Sequence, residues 1–187
     1  MSEKLLLVGA GGFGRVVLEH AIKEYDCAFV DDGVDVGTIV QTVPVIGKLS
    51  DIELLFRDYK KLIVVIGNNS LRERVYKEAA DIGYEFPNII VPSAYLSPYA
   101  TIGSGCVILN NAVVQNGAVL GDGVILNPGA EAHHDSCIGN NVLIYANTVI
   151  RSLTHVGDRA WIGCSVSIGT GVTVPMDARV EDGTVVK

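Results

Sequence analysis

The stretch ILNNAVVQNGAVLGDGVIL, residues 108–126, decides the fold because it repeats a pattern of six residues. An aliphatic residue stands at every sixth position, and the fourth residue after each one is small or β-branched. The pattern extends over residues 90–187, where sixteen of seventeen aliphatic positions are Ile, Leu or Val and the exception is Ala132. Neither an α-helix nor an ordinary β-strand has this period. The C-terminal half is therefore predicted to be a repeat structure.

A triangular solenoid accounts for a period of six. Each flat side takes one hexapeptide, so three sides make a coil of about 18 residues, and about five coils fit between residues 90 and 187. The aliphatic residue fills the interior, the small residue fits beside the corner, and stacked coils bury a continuous core. We predict a parallel β-helix over residues 89–187.

Residues 1–88 follow a different pattern, in which strands alternate with helices. The predicted strands cover residues 4–8, 27–30 and 62–66, and the predicted helices cover residues 15–24 and 71–82. Ser70 is the expected N-cap of the second helix. Alternation of this kind predicts a small parallel sheet with packed helices, a Rossmann-like α/β domain.

The first strand leads into a glycine-rich loop, and acidic and amide side chains end the next strands. Glycines let the backbone approach a diphosphate at a helix N-terminus. The same spacing fits the NAD fingerprint, but NAD binding normally requires a larger sheet in two halves than about 85 residues provide. We therefore predict a diphosphate-binding site formed by Gly11, Gly12, Phe13, Gly14, Asp31, Asp32, Gly67 and Asn68.

The candidate catalytic group lies in the segment NPGAEAHHDSCIG, residues 127–139. His134 and Asp135 occupy the second and third positions after the core residue Ala132, and these positions face outward in a hexapeptide coil. A lone exposed histidine is usually a solvated surface residue. The adjacent acid favours a catalytic role for His134.

Acyl transfer explains why this pair is useful. Histidine titrates near neutral pH and can take the proton of an attacking amine or hydroxyl. A carboxylate on the other ring nitrogen fixes the tautomer and stabilises the imidazolium. One coil further on, Ser152 comes into line with His134, so its N–H is the candidate oxyanion donor. No serine or cysteine has the setting of an acyl-enzyme nucleophile, which favours direct transfer.

The chain resembles the PglD/NeuD group of bacterial sugar acetyltransferases along nearly its whole length. The matching segments are residues 7–17, 29–32, 65–69, 92–98 and 127–135. The resemblance implies a left-handed β-helix, a homotrimer with active sites between subunits, and acetyl-CoA as co-substrate. It implies that the residue matching His134 is the base, that Asp135 raises its basicity, and that the 4-amino group of a UDP- or dTDP-linked amino-deoxy sugar is acetylated.

The chain departs from this group at three positions. The group often has histidine where Phe13 and Leu143 stand, and it favours glycine where Ser152 stands. Leu143 and Ser152 are the acetyl-CoA contacts that the resemblance implies. Cys164 and Thr170, on outward positions of later coils, are further candidates for acetyl-CoA contacts.

Composition narrows the classes of partner. The net charge of −7 and the lack of a basic stripe argue against nucleic acid. The N-terminus has no signal-peptide layout, and no apolar run approaches membrane-spanning length. The four cysteines are scattered without a CxxC pair, so neither disulfides nor a zinc site is expected. We expect a cytoplasmic protein without a metal.

Three alternatives remain open. An O-acetyltransferase acting on a sugar hydroxyl, such as that of a sialic acid, would use the same base and donor. A metal-dependent hexapeptide protein resembling the γ-class carbonic anhydrases would need three converging histidines, whereas His133 and His134 are adjacent and His155 is out of register with them. A scaffold protein without activity is the third alternative.

Overall fold

A computed structural model describes residues 3–187 of the chain. The chain divides into two compact units, of which the first ends at Ile89 and the second spans Ile90–Lys187. Each unit has its own hydrophobic core.

The first unit is an α/β domain around one sheet. Its strands are β1 (Glu3–Val8), β2 (Tyr25–Val30), β3 (Ile39–Val40), β4 (Val43–Gly47) and β5 (Lys61–Val64). Its helices are α1 (Gly12–Ala21), α2 (Ile52–Leu55) and α3 (Asn69–Ile82), with a 3₁₀ turn at Leu49–Asp51.

The sheet has the strand order β3-β4-β2-β1-β5, and all its pairs are parallel except β3 with β4. In β1, Leu5, Leu6 and Leu7 are fully buried, because elements cover both faces of a sheet of this type. The chain passes from β1 to β2 on one side and later to β5 on the other. Such a reversal creates a crevice at the carboxyl ends of the strands, where ligands of α/β proteins bind.

Several local predictions need correction. Helix α1 begins at Gly12 and ends at Ala21, earlier than predicted, because Gly11 is its N-cap. Ser70 does not cap α3: the Asn68 side chain accepts from Leu71 N at 2.9 Å, so Asn68 is the N-cap. The elements β3, β4 and α2 were not expected, and β3 adds an antiparallel edge to the parallel sheet.

The second unit is a parallel β-helix made of two-residue strands separated by four-residue turns. Its strands are β6 (Ile89–Ile90), β7 (Tyr95–Leu96), β8 (Thr101–Ile102), β9 (Val107–Ile108), β10 (Val113–Val114), β11 (Val119–Leu120), β12 (Ile125–Leu126), β13 (Glu131–Ala132), β14 (Cys137–Ile138), β15 (Leu143–Ile144), β16 (Val149–Ile150), β17 (His155–Val156), β18 (Trp161–Ile162), β19 (Ser167–Ile168), β20 (Thr173–Val174), β21 (Arg179–Val180) and β22 (Val185–Val186).

These strands form three parallel sheets in which each strand pairs with the third strand before it and the third after it. Val113 pairs with Glu131, and Ala132 pairs with Ile150. Both pairs are 18 residues apart, so one coil is three hexapeptides. The predicted coil length is confirmed.

The β-helix core follows the predicted register. The aliphatic positions from Ile108 to Val174 are at most 3% exposed, and the small positions from Ala112 to Val166 are at most 1% exposed. Thr148 lies among these small positions, and its hydroxyl donates to Gly163 O at 2.6 Å. A polar group is thus buried without losing its hydrogen bond.

The corners of the coil share one backbone conformation. From Gly105 to Gly183, the third residue after every core position has a positive φ. Glycine, asparagine and aspartate adopt this left-handed conformation more readily than other residues, and they occupy most of these positions. This conformation therefore sets the direction of the side chains at each corner.

Candidate active site

The site begins at the corner between β13 and β14. Asp135 takes the left-handed position of this corner, with φ 59°. Its Oδ2 lies 2.9 Å from Nδ1 of His134, a hydrogen bond in which the ring N–H donates to the carboxylate. Both side chains are 56% exposed. The pair leaves Nε2 of His134 as the ring nitrogen that can accept a proton.

The preceding coil anchors this corner. The backbone N–H of His134 donates to Gln115 Oε1 at 3.0 Å, and that of Asp135 donates to Asn116 O at 3.1 Å. The bonds fix the backbone that carries the imidazole and the carboxylate. Such support is what a catalytic pair needs to keep its geometry.

A cleft of about 500 Å³ opens beside His134. Its lining residues are Tyr95, Ser97, Pro98, Tyr99, Gln115, Asn116 and His134. Sequence reasoning missed all of them except His134. The signal was available, because Asn116 precedes His134 by one coil of 18 residues and Pro98 precedes it by two.

A second histidine–carboxylate pair stands next to the first. Nε2 of His133 lies 2.9 Å from Oε2 of Glu131, and the side chains are 26% and 39% exposed. Sequence analysis treated His133 only as a neighbour of His134. Glu131 and His133 are two residues apart in an extended segment and share a face, which was the signal for this contact.

The predicted acetyl-CoA contacts separate into two groups. Ser152 and Thr170 follow His134 by one and two coils and lie at the same corner, where Leu153 N donates to His134 O at 3.4 Å. Leu143 is buried in β15, and Cys164 follows β18, so both belong to other parts of the coil. Of the four predicted acetyl-CoA contacts, only Ser152 and Thr170 therefore share a column of the coil with His134 within the same chain.

The first unit contains a crevice of about 230 Å³ at the carboxyl ends of its strands. It is lined by Val8, Gly9, Val30, Asp31, Asp32, Gly33, Leu49, Ile66 and Leu71. The crevice lies where the strand order reverses around β1, the place expected for a ligand in this type of sheet.

Of the predicted binding residues, Asp31 and Asp32 line this crevice; the other six are not among its lining residues, namely Gly11, Gly12, Phe13, Gly14, Gly67 and Asn68. The glycines of these loops have different roles. A Cβ on Gly14 would overlap Gly9 O, so Gly14 permits close packing of α1 against the loop. A Cβ on Gly11 or Gly67 would meet open space within 4 Å. Phe13 lies half-buried in the first turn of α1. Gly11 and Gly67 thus expose backbone that a ligand can approach.

The two aspartates at the end of β2 hold backbone groups. Asp31 Oδ2 accepts from Ala10 N at 2.7 Å and Asp31 Oδ1 accepts from Gly33 N at 2.8 Å. Asp32 Oδ1 accepts from Leu49 N at 2.8 Å. These carboxylates shape the crevice wall, and each oxygen keeps further acceptor capacity for a ligand.

Within residues 3–187, no group of three or more His, Cys, Asp or Glu side chains is placed to hold a metal ion. No helix among these residues is both long and apolar enough to cross a membrane.

Comparisons with known families agree with both units. The PglD N-terminal domain family matches residues 4–79. The bacterial transferase hexapeptide family (six repeats) matches residues 99–131. The β-helix is thus the left-handed form built from hexapeptide repeats, as the resemblance implied.

Solved structures extend the likeness over the whole chain. The acetyltransferase domain of PglB from Neisseria gonorrhoeae FA1090 is 34% identical, with a TM-score of 0.93, covering 100% of this chain and 92% of that one. The same domain solved with acetyl coenzyme A has a TM-score of 0.81 at 34% identity, covering 99% and 96%. A mutant of perosamine N-acetyltransferase from Caulobacter crescentus, solved with CoA and GDP-perosamine, is 30% identical with a TM-score of 0.93, covering 98% and 88%.

An α/β unit followed by a hexapeptide β-helix is the architecture of acetyl-CoA-dependent acyltransferases, the class to which the protein belongs. The chain belongs to the PglD-type sugar acetyltransferases.

Proposed function

We propose that the protein transfers the acetyl group of acetyl-CoA to the 4-amino group of a nucleotide-linked amino-deoxy sugar. The observation that carries this proposal is the hydrogen bond between Asp135 and His134, a residue that lines the cleft. The likeness to an N-acetyltransferase solved with CoA and GDP-perosamine supports an amine as the acceptor.

The reaction proceeds by direct attack. The neutral amine of the sugar attacks the thioester carbonyl, and its proton passes to Nε2 of His134 while a C–N bond forms. Asp135, bonded to Nδ1, stabilises the resulting imidazolium. The C–S bond then breaks and the CoA thiolate takes the proton from His134. The products are the N-acetylated sugar and CoA, and His134 returns to its neutral form.

Ser152 supplies the oxyanion donor in this scheme. Its position one coil after His134 puts a backbone N–H beside the corner where the tetrahedral intermediate forms. Thr170 lies one coil further in the same column, and in this scheme it contacts acetyl-CoA. Leu143 and Cys164 lie elsewhere on the coil, so we propose that they meet acetyl-CoA from a neighbouring subunit of a homotrimer.

The crevice of the first unit binds the nucleotide. The backbone at Gly11, Gly12 and Gly67, in the segments that follow β1 and β5, approaches the diphosphate. Asp31 and Asp32, which line the crevice, accept from the nucleoside. Phe13, Gly14 and Asn68 shape the same loops. The family resemblance favours UDP or dTDP as the nucleotide. Because a similar N-acetyltransferase was solved with GDP-perosamine, GDP-linked sugars should also be tested as substrates.

A thiol-release assay with acetyl-CoA tests this function. The panel contains UDP-, dTDP- and GDP-linked 4-amino sugars and their hydroxyl counterparts. We expect turnover with an amino sugar and its loss in His134→Ala, with full turnover in His155→Ala, an exposed histidine on β17 away from the corner. Turnover that persists in His134→Ala would contradict the mechanism. Turnover with hydroxyl sugars alone would favour the O-acetyltransferase.

A further inference from the structure

The pair Glu131–His133 lies next in sequence to the cleft residue His134, one coil after the cleft residue Gln115. His133 follows Gln115 by one coil and Ser97 by two, and both of these residues line the cleft. Glu131 pairs with Val113, which in turn pairs with the cleft residue Tyr95. His133 thus continues a column of two cleft residues, and Glu131 continues a column whose first member, Tyr95, lines the cleft.

The hydrogen bond to Glu131 sets the chemistry of the His133 ring. When Nε2–H donates to Glu131 Oε2, the other nitrogen, Nδ1, carries a lone pair. The ring then accepts a hydrogen bond and does not donate one. A ligand that bonds to Nδ1 of His133 must therefore bring an N–H or O–H group.

The charges around this corner favour a cation. Glu131 and Asp135 place two carboxylates within five residues, each bonded to a histidine ring. Arg151, one coil after His133, is the positive side chain in the same column, and it is exposed to solvent. Gln115 and Asn116, on the preceding coil, are neutral. An aliphatic amine is largely protonated near neutral pH, so it arrives as an ammonium group that this corner attracts.

We propose that Glu131 and His133 are specificity-determining residues that bind the acceptor's ammonium group and select amino sugars over hydroxyl sugars. This proposal rests on the proposed acetyl transfer at His134. The ammonium donates one N–H to Nδ1 of His133 while the Glu131 carboxylate, bonded to the other ring nitrogen, stabilises the positive charge. Before attack, the bound ammonium releases one proton to solvent, so that the neutral amine reacts at Nε2 of His134. A sugar hydroxyl at the same place is neutral, so its hydrogen bond to His133 contributes less binding free energy.

Kinetics of His133→Asn and Glu131→Gln test the proposal. With the nucleotide-linked amino sugar that the wild type turns over best, we expect KM for the sugar to rise about tenfold, the order expected for losing a hydrogen bond to a charged group. The kcat at saturation and the KM for acetyl-CoA should stay close to wild type. The preference for the amine over its hydroxyl counterpart should fall by a similar factor. His155→Asn is the matched control.

The pH dependence separates recognition from a structural role. The KM defect of His133→Asn should shrink as the pH is raised and the free sugar amine loses its proton, because the lost contact is to the ammonium form. A structural role would lower kcat or weaken binding of both substrates at every pH. An unchanged KM for the amino sugar, or a defect equal for amine and hydroxyl acceptors, would overturn the proposal while leaving the role of His134 intact. If the wild type turns over no amino sugar, this proposal and the proposed N-acetylation both fail.

Discussion

Gly117 and Asp135 occupy the same corner in successive coils, and a Cβ on Gly117 would overlap the Asp135 carboxylate. The carboxylate that bonds to His134 thus fills space left by a missing side chain. Gly117 also has a positive φ of 70°. Two independent features of one glycine, its conformation and its lack of a side chain, therefore bear on the proposed catalytic pair.

Replacing Gly117 with alanine is expected to displace Asp135 and lower kcat on the order of 100-fold, the scale of effect of a small misplacement of a catalytic group. The left-handed backbone adds a loss of stability of about 1–2 kcal/mol. Gly183→Ala is the matched control, because Gly183 has the same φ of 70° but a Cβ there meets open space. Equal kcat values in the two variants would contradict the role of this packing.

Asp135→Asn is expected to lower kcat on the order of 100-fold while leaving the fold intact. Asparagine tolerates the left-handed conformation of this corner, but a neutral amide cannot stabilise an imidazolium. Steady-state kinetics and the thermal midpoint measure the two effects. Asp177→Asn, which changes an aspartate with φ 57° at another corner, should leave kcat unchanged.

Two substitutions in the glycine loop should distinguish an effect on stability from an effect on binding of the nucleotide sugar. Gly14→Ala should cost about 1–3 kcal/mol of stability, because the new methyl overlaps Gly9 O. Gly11→Ala should keep the stability and raise KM for the nucleotide sugar about tenfold, or ~1.4 kcal/mol, by filling the space that the diphosphate approaches. Chemical denaturation measures the stability of the two variants, and steady-state kinetics measure their KM for the nucleotide sugar. A destabilised Gly11→Ala with normal KM would contradict the assignment.

Ionisation of Tyr84 is expected to lower the stability of the first unit at alkaline pH. Its hydroxyl donates to Ile52 O at 2.7 Å, and burial raises its pKa to about 12 from an ordinary value of 10.0. The unfolded chain loses this proton at lower pH than the folded chain, so the contribution is complete below pH 10 and is lost as the pH rises towards 12.

Tyr84→Phe should therefore be less stable than wild type by about 1 kcal/mol at pH 8, and the difference between the two should shrink by pH 11. Urea unfolding at the two pH values measures this. Tyr99→Phe is the control, since Tyr99 is 73% exposed. A difference that is constant from pH 8 to pH 11 would show that ionisation of Tyr84 does not contribute.

Much of the second unit could be predicted from sequence because its contacts repeat at a fixed interval. Once Ile108 and Val114 are assigned to the interior, the period places every later core residue and turns His134 outward. The first unit was less predictable. Its elements between Ile39 and Leu55 are short, and Asn68 rather than Ser70 caps α3 because the cap depends on where the chain leaves β5.

The sequence by itself determined the hexapeptide coil, the exposed position of His134 and its neighbour Asp135, since these follow from periodicity along the chain. Only the tertiary structure decided which groups meet between segments distant in sequence. It joined Gln115 Oε1 to the backbone N–H of His134, and it joined Asp31 Oδ2 to the N–H of Ala10 in the glycine loop. The physical reason is that such contacts depend on backbone direction at corners and on stacking of segments about 18 residues or more apart in sequence.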